Sequence, residues 1–492
     1  MKLKIKKFNF VSGRPICMIH GDTAKKLSFH VGQRILISRK KKKLICVLNT
    51  MEHIIQKNEI AVSHEISDIL KLKPGNVVDV EIAEKPRSID LIKEKLNGKK
   101  LNKDEIFEII QNIANNSLTE VEVAFFVSAI LEKGMSLEET KYLTQAMVET
   151  GNHLHFKGVV VDKHSIGGIA GNRTTPIVVS ICAAAGLIFP KTSSRAITSA
   201  AGTADVIETI ARVDFSIDDI KKIIKKTNGC FVWGGSLGLA PVDDKIIRVE
   251  KIVNADSSSQ VIASILSKKI SAGSKHILID IPYGKSAKFS EREALLLKKR
   301  FLQMKTVFKL DLDVVLTKGD EPIGNGIGPV LEIKDVIKVL TRNNSPKDLE
   351  EKSLFLSGKI LEMVNKARPG KGVAMARSIL ESGAAYKKFL EIIHAQKGNV
   401  NLLDSLCSNA AYDIKSRKKI KIKHLNNKLF NTLARLAGCP EDKASGIYLY
   451  KKKGNDVDKG ETIFTIYAVS KEKLRHAINF FRKNERKIIE IY

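Results

Sequence analysis

Apolar and polar positions change their spacing along the chain, and each change marks a different kind of layer. Ile35-Leu36-Ile37 and Leu44-Ile45-Cys46-Val47 are short apolar runs on either side of a basic turn at 39–43. Val78, Val80 and Ile82 alternate with polar residues after Pro74-Gly75-Asn76. Both patterns predict strands, so residues 1–85 read as a small β-rich domain that ends at Lys85-Pro86-Arg87. Ile106, Ile109, Ile110 and Ile113 then recur at helical spacing. Ser117-x-x-Glu120 and Ser136-x-x-Glu139 have the form of capping boxes opening two further helices, which predicts a compact helical lobe.

From about residue 158 the pattern becomes α/β. Gly158-Val159-Val160-Val161 predicts a buried strand running into a glycine-rich turn, and Thr175-Pro176 places proline at the first position of an apolar helix. Leu187-Ile188-Phe189, Ile277-Leu278-Ile279 and Val314-Val315-Leu316 predict further strands between helices. Near the C-terminus, Ile447-Tyr448-Leu449 and Ile463-Phe464-Thr465-Ile466 bracket a Gly454-Asn455 turn, and Ser470 caps a last helix. Residues 396–492 therefore read as a small α+β domain.

A chain of 492 residues is too long for one core, and 43% apolar residues exclude general disorder. Cys17, Cys46, Cys182, Cys230, Cys407 and Cys439 form no C-x-x-C pair, so no zinc ribbon or other metal site is expected. Scattered cysteines suit a reducing compartment. The basic N-terminus lacks a following apolar stretch, and the longest apolar run, 176–190, is too short to span a bilayer. The expectation is a cytoplasmic protein without membrane association. The formal charge of +29 is spread over lysines, and the 6% aromatic residues do not interleave with the basic runs at 39–43, 415–423 and 451–453. Nucleic acid is therefore not the expected partner; a general lysine-rich bias is the first reading of the charge, and a positive field that draws in phosphorylated small substrates is the second.

The segment Asp162-Lys163-His164-Ser165-Ile166-Gly167-Gly168-Ile169-Ala170-Gly171-Asn172 sets three glycines between a strand and a helix. Backbone N–H groups there can approach an anion, and the helix N-terminus adds positive character. Lys163 supplies a full charge, and Ser165 and Thr174 supply hydroxyls. Between Thr192 and Thr203, six of twelve residues are hydroxylic: Thr192, Ser193, Ser194, Thr198, Ser199 and Thr203. Arg195 and Gly202 lie among them, a composition suited to phosphate or sugar oxygens. Three other motifs fail on context. Gly284-Lys285-Ser286 lacks the earlier glycine of a P-loop, because Ile279 occupies that position. Gly234-Gly235-Ser236-Leu237-Gly238 is followed by Pro241 where a hydrolase elbow needs a helix. Gly324-x-Gly326-x-Gly328 has its third glycine one position too early for a dinucleotide site.

Lys163-His164-Ser165-x-Gly167-Gly168 and 193–203 resemble the signature of the thymidine and pyrimidine-nucleoside phosphorylase family. Leu239-Ala240-Pro241-Val242-Asp243, Ser264-Ile265-Leu266-Ser267-Lys268 and Glu321-Pro322-Ile323-Gly324 agree with it, in order, from about residue 86 onward. Ser194-Arg195-Ala196-Ile197-Thr198-Ser199-Ala200-Ala201-Gly202-Thr203, Trp233-Gly234-Gly235 and the extra N-terminal domain resemble its AMP phosphorylase branch. Thymidine-specific members carry a base-reading arginine where this chain has Val249, with Arg248 displaced by one.

The resemblance implies a helical lobe from 86–155 and 240–272, and an α/β phosphate-binding lobe with a central mixed sheet from 156–239 and 273–395. It implies a cleft between the lobes and a homodimer or larger homo-oligomer. Gly168, Ser194, Arg195, Ala196, Ile197, Thr198, Ser199, Thr203, Ser264 and Lys288 become nucleotide-binding positions. Lys163, Ser165, Thr174, Ser193 and Thr203 surround phosphate. His164 and Lys268 stand as contacts to base or sugar, with a merely packed histidine the other reading of His164.

Asp256 resembles the family's proton donor. A departing base must be protonated, and an aspartate can donate only where burial or hydrogen bonding raises its pKa above ~3.9. The reaction implied is phosphorolysis of an AMP-like nucleotide to free base and ribose 1,5-bisphosphate. Inorganic phosphate is co-substrate and no cofactor is needed. The alternative is cleavage of thymidine.

Overall fold

A computed structural model describes residues 1–196, 199–253 and 257–492, without the side chains of Lys251 and Val253. Its backbone divides into two compact units: Met1–Thr150 with Pro241–Ser264, and Gly151–Ala240 with Ile265–Tyr492.

The first unit opens with six strands: β1 (Lys2–Ile5), β2 (Ile16–Ile19), β3 (Arg34–Arg39), β4 (Lys42–Thr50), β5 (Glu59–Val62) and β6 (Val77–Ile82). They close into a barrel in the order β1-β5-β2-β4-β3-β6, which leaves no free sheet edge. The basic turn at 39–43 is the β3–β4 hairpin, with Arg39 opposite Lys42. Leu3, Ile19, Ile35, Ile37, Leu48 and Val80 fill the barrel.

Helices Ser88–Leu96, Lys103–Ala114, Glu120–Lys133 and Leu137–Glu149 follow. Ile106, Ile109, Ile110 and Ile113 all face their shared core, together with Val242, Ile246 and Val249 of the helix Pro241–Val253. The box at Ser136 and Glu139 forms as expected. The other shifts by two residues: Thr119 and Glu122 make it, because the chain first turns through Asn116 at φ 63°. Lys245 Nζ closes the end of the helix Lys103–Ala114 by donating to Ile113 O (2.7 Å) and Ala114 O (2.8 Å).

The second unit is built on five parallel strands: β7 (Val161–Ser165), β8 (Phe189–Ser193), β9 (Gly229–Trp233), β10 (His276–Tyr283) and β11 (Asp311–Lys318). β7 pairs with β10 and β10 with β11, while β8 pairs with β9. A parallel bridge from Val160 to Ile188 joins β7 to β8. Each described pairing of this sheet is parallel, which corrects the mixed sheet expected. The buried helices Thr174–Ala184, Pro329–Thr341 and Lys347–Met363 cover it, as parallel strands require. The helix after the glycine-rich turn begins at Thr174, so Pro176 is its third residue rather than its first.

Two small antiparallel sheets complete this unit. β12 (Gly326–Ile327), β13 (Ala410–Lys415), β15 (Gly446–Leu449) and β17 (Thr462–Ala468) form one, and β14 (Ile420–Leu425), β16 (Asp456–Val457) and β18 (Ile489–Ile491) the other. The helices Asn427–Ala437 and Lys471–Ile488 pack on them around Phe430, Phe464 and Phe481. Among the described residues no helix is long and apolar enough to cross a membrane.

Candidate active site

In the parallel sheet β7 lies between β8 and β10, so the order of addition reverses beside it. In open α/β sheets the crevice beyond the strand ends at such a reversal is the ligand site. β7 runs to Ser165 and β8 to Ser193, later than the apolar pattern indicates. Lys163, His164, Ser165, Thr192 and Ser193 are therefore fixed on strand ends rather than carried on loops, because ladder bonds outweigh the polar composition. The turn that follows uses its glycines: Gly167, Gly168 and Gly171 have φ of 118°, 58° and 68°. At Gly171 a Cβ would lie 2.1 Å from Ile323 O, so only glycine fits.

Lys163 Nζ is buried and donates to Thr174 Oγ1 at 2.7 Å. Burial pushes its pKa down to about 7, against the pull of Asp280. Ser165 Oγ donates to Asp280 Oδ2 (2.7 Å), Thr317 Oγ1 to Asp280 Oδ1 (2.6 Å), and Lys352 Nζ stands 3.1 Å from Asp280. Burial alone would raise Asp280, but Lys352 and Lys163 outweigh it and hold the carboxylate ionised. Asp162, also buried, receives Lys269 Nζ at 2.7 Å and Lys191 Nζ at 3.4 Å. His164 is driven well below its ordinary value by burial first and then by Lys269, Lys191 and Lys268, so its imidazole is neutral near pH 7.

Arg173, the residue before the helix, joins the two candidate loops. Its guanidinium donates to Thr203 Oγ1 (2.9 Å) and Ala201 O (2.8 Å) on the second loop, and to Glu332 (2.7 Å) behind them. Thr174 and Thr203 thus both accept from a cation and keep their own protons to donate to an anion.

Arg195 is not the free guanidinium that the hydroxyl-rich segment suggests. It makes a two-pronged pair with Glu208 at 2.7 Å on each arm, reaches Asp205 at 3.3 Å, and stacks 5.0 Å from the Trp233 ring. The hydrogen bond from Arg195 holds Glu208 down at about 2. Asp205 also receives the N–H groups of Ala196 (2.7 Å) and Gly202 (2.8 Å), which shapes the loop around Ser194. Ser193 Oγ donates to Ser194 O and Ser199 Oγ to Ala201 O, both at 2.9 Å.

Lys288 packs against the glycine turn, where a Cβ on Gly167 would lie 3.4 Å from its own Cβ. Gly168 is exposed. In the first unit, Ser264 Oγ donates to Asp243 Oδ2 at 2.9 Å. Ile197, Thr198 and Asp256 lie outside the described residues. The structure thus brings together Lys163, Ser165, Thr174, Thr203 and Lys288, and adds Arg173, Asp280, Lys191, Lys269 and Lys352. Of these additions only Arg173, a cation at the end of the glycine-rich segment, had a sequence signal.

Comparison with known proteins fits this geometry. The family model described as "Glycosyl transferase family, helical bundle domain" matches residues 89–151, and "Glycosyl transferase family, a/b domain" matches 157–386. "Pyrimidine nucleoside phosphorylase C-terminal domain" matches 421–486. In fold the chain resembles anthranilate phosphoribosyltransferase from Thermus thermophilus, with a TM-score of 0.52 and 17% identity over 63% of this chain and 99% of that one. The class so defined is a pentosyl-transferring enzyme.

The chain is 40% identical to the AMP phosphorylase of Methanocaldococcus jannaschii over 95% of its own length and 93% of the relative's. It is 39% identical to AMP phosphorylase 1 of Archaeoglobus fulgidus and 40% identical to the AMP phosphorylase of Thermococcus kodakarensis, each over 99% of this chain and 97% of the other. The chain belongs to the AMP phosphorylase family.

Proposed function

We propose that this enzyme carries out reversible phosphorolysis of an AMP-like nucleoside 5'-monophosphate. An oxygen of inorganic phosphate bonds to the anomeric carbon as the carbon–nitrogen bond breaks. The base leaves with a proton, and the products are free base and ribose 1,5-bisphosphate. The observation that carries this reading is the pair of hydroxyls Thr174 and Thr203, each backed by a buried cation and tied into one site through Arg173. Fixing an anion there, opposite an anomeric carbon that gains positive charge, removes much of the entropic barrier and stabilises the transition state.

Asp256 is the proton donor in this scheme. Inorganic phosphate is the second substrate, and no metal or cofactor takes part. The thymidine reading is the weaker one. Val249 is buried in the helical core, and the neighbouring Arg248 is turned to Gly13 O at 2.9 Å.

We place the enzyme in the cytoplasm, as its six free cysteines suggest. It works as a homodimer or larger homo-oligomer. Val121 and Phe125, one turn apart on the helix Glu120–Lys133, are 65% and 52% exposed and offer an apolar face for association. The test is base release from AMP, CMP, UMP and thymidine, assayed with and without phosphate. Phosphate-dependent release from AMP with ribose 1,5-bisphosphate as co-product is expected. Turnover of thymidine alone, or a requirement for magnesium and phosphoribosyl pyrophosphate, would sink the reading.

A further inference from the structure

Two asparagines of the C-terminal domain tie down the loops of the phosphate site. Asn427 and Asn431 lie one turn apart on the helix Asn427–Ala437 and are 1% and 4% exposed. Asn431 Nδ2 donates to Gly168 O at 2.9 Å, while its Oδ1 accepts from Ala200 N at 2.9 Å. One carboxamide therefore spans the glycine-rich loop after β7 and the hydroxyl loop after β8. Asn427 Oδ1 accepts from Ala170 N (3.3 Å), and its Nδ2 donates to Gly319 O (2.8 Å) and Ser286 Oγ (3.3 Å). Gly319 and Ser286 belong to the loops after β11 and β10.

The two amides thus reach the loops at the ends of all four strands around the site. Ala170 and Ala200 bury their methyls in the same core as Phe430 and Ala434, so each loop is held by packing as well. A carboxamide can donate and accept in one plane, whereas a carboxylate can only accept. The bonds from Ala200 N and Ala170 N are buried and the bond to Gly168 O is partly buried, so losing either bond of Asn431 is costly.

We propose that Asn431 is a positioning residue for phosphorolysis: it sets the spacing between the two anion-gripping loops, acting through Gly168 and Ala200 and not on phosphate itself. Asn427 fixes the outer loops in the same way. The proposal rests on the phosphorolysis reading, because the spacing matters only if phosphate binds between these loops.

The experiment measures the Kd of inorganic phosphate by calorimetry and the KM for phosphate in AMP cleavage, for the full chain. Asn431→Asp keeps the acceptor to Ala200 and loses the donor to Gly168, and Asn431→Gln keeps both functions. Thr465→Val serves as control, since it removes a partly buried bond to Asp413 (2.7 Å) elsewhere in the same domain. Asn431→Asp is expected to raise the Kd and KM for phosphate about tenfold or more, with Asn431→Gln recovering part of the loss. Thr465→Val is expected to lower Tm and leave phosphate binding alone.

Phosphate binding by Asn431→Asp equal to wild type, or equal weakening in Thr465→Val, would overturn the proposal while leaving the reaction intact. A wild type that binds no phosphate would remove the functional reading and this proposal with it. Should Asn431→Asp not fold, Asn427→Asp is read in its place, with a wild-type Kd counting against the mechanism.

Discussion

Lys163 carries an electrostatic cost that phosphate can relieve. Its ordinary value of 10.5 drops to about 7 because burial strips the ammonium of water. A lysine lowered in this way opposes folding while charged: the cost is full below about pH 7 and fades as pH rises toward 10.5. A bound phosphate dianion reverses the preference by pairing with the ammonium. Above about pH 7, binding must therefore take up a proton, and affinity is expected to fall as pH climbs. Calorimetry in two buffers of different ionisation enthalpy reads that uptake directly. Lys163→Met is expected to abolish it and to weaken phosphate binding. Uptake that persists in the variant would place the proton elsewhere.

Asp256 belongs to the same scale. Asp256→Asn, which cannot donate a carboxylic proton, is expected to lower kcat for AMP by about 10²- to 10⁴-fold with the KM for phosphate little changed. Steady-state kinetics with phosphate varied at saturating AMP would check both halves.

At the scale of elements, the glycine-rich turn is a conformation that few side chains permit. Gly171→Ala would put a Cβ 2.1 Å from Ile323 O at a φ of +68°. Left-handed backbone alone costs about 1–2 kcal/mol, and the contact with a carbonyl adds to it. A loss of roughly 3 kcal/mol or more in unfolding free energy is expected, with the phosphate KM rising as the turn shifts. Denaturant unfolding and steady-state kinetics on the same preparation would test this, and an unchanged Tm would mean the turn relaxes freely.

This turn was legible in the sequence because its chemistry is local: three glycines, a lysine and hydroxyls within a dozen residues. The barrel strands and the isoleucine stripe of the helical lobe were legible for the same reason, since period and turn residues lie side by side. Strand ends were harder. Lys163 to Ser165 read as turn residues, but pairing with Leu278 to Asp280 extends β7 through them. Asp280, Lys352, Asn427 and Asn431 left no mark, because each is defined by a partner far along the chain. Asn431 meets Ala200 across 231 positions and Gly168 across 263. Arg195 misled for a related reason: Glu208 and Asp205, which occupy it, look in the sequence like ordinary helix charges.

The whole molecule carries 83 lysines and arginines against 54 aspartates and glutamates, a surplus of +29. Local pairing absorbs part of the basic runs: Lys452 meets Asp348 at 2.6 Å, and Lys451 meets Glu461. Such pairs leave the net charge unchanged, and the field at long range follows the net charge. Both substrates of the proposed reaction are anions, so this field should raise their encounter rate with the enzyme. Steering of that kind is screened by salt, as the Debye length falls from about 10 Å at ~0.1 M to about 3 Å at ~1 M. kcat/KM for AMP is therefore expected to fall several-fold over that range of potassium chloride. Inhibition by neutral adenosine should hold within about twofold, because hydrophobic and hydrogen-bonding contacts are screened far less. Equal salt responses of AMP and adenosine would mean the lysines serve some end other than substrate capture. A fall confined to AMP would identify the basic surface as part of how this enzyme gathers phosphorylated substrates.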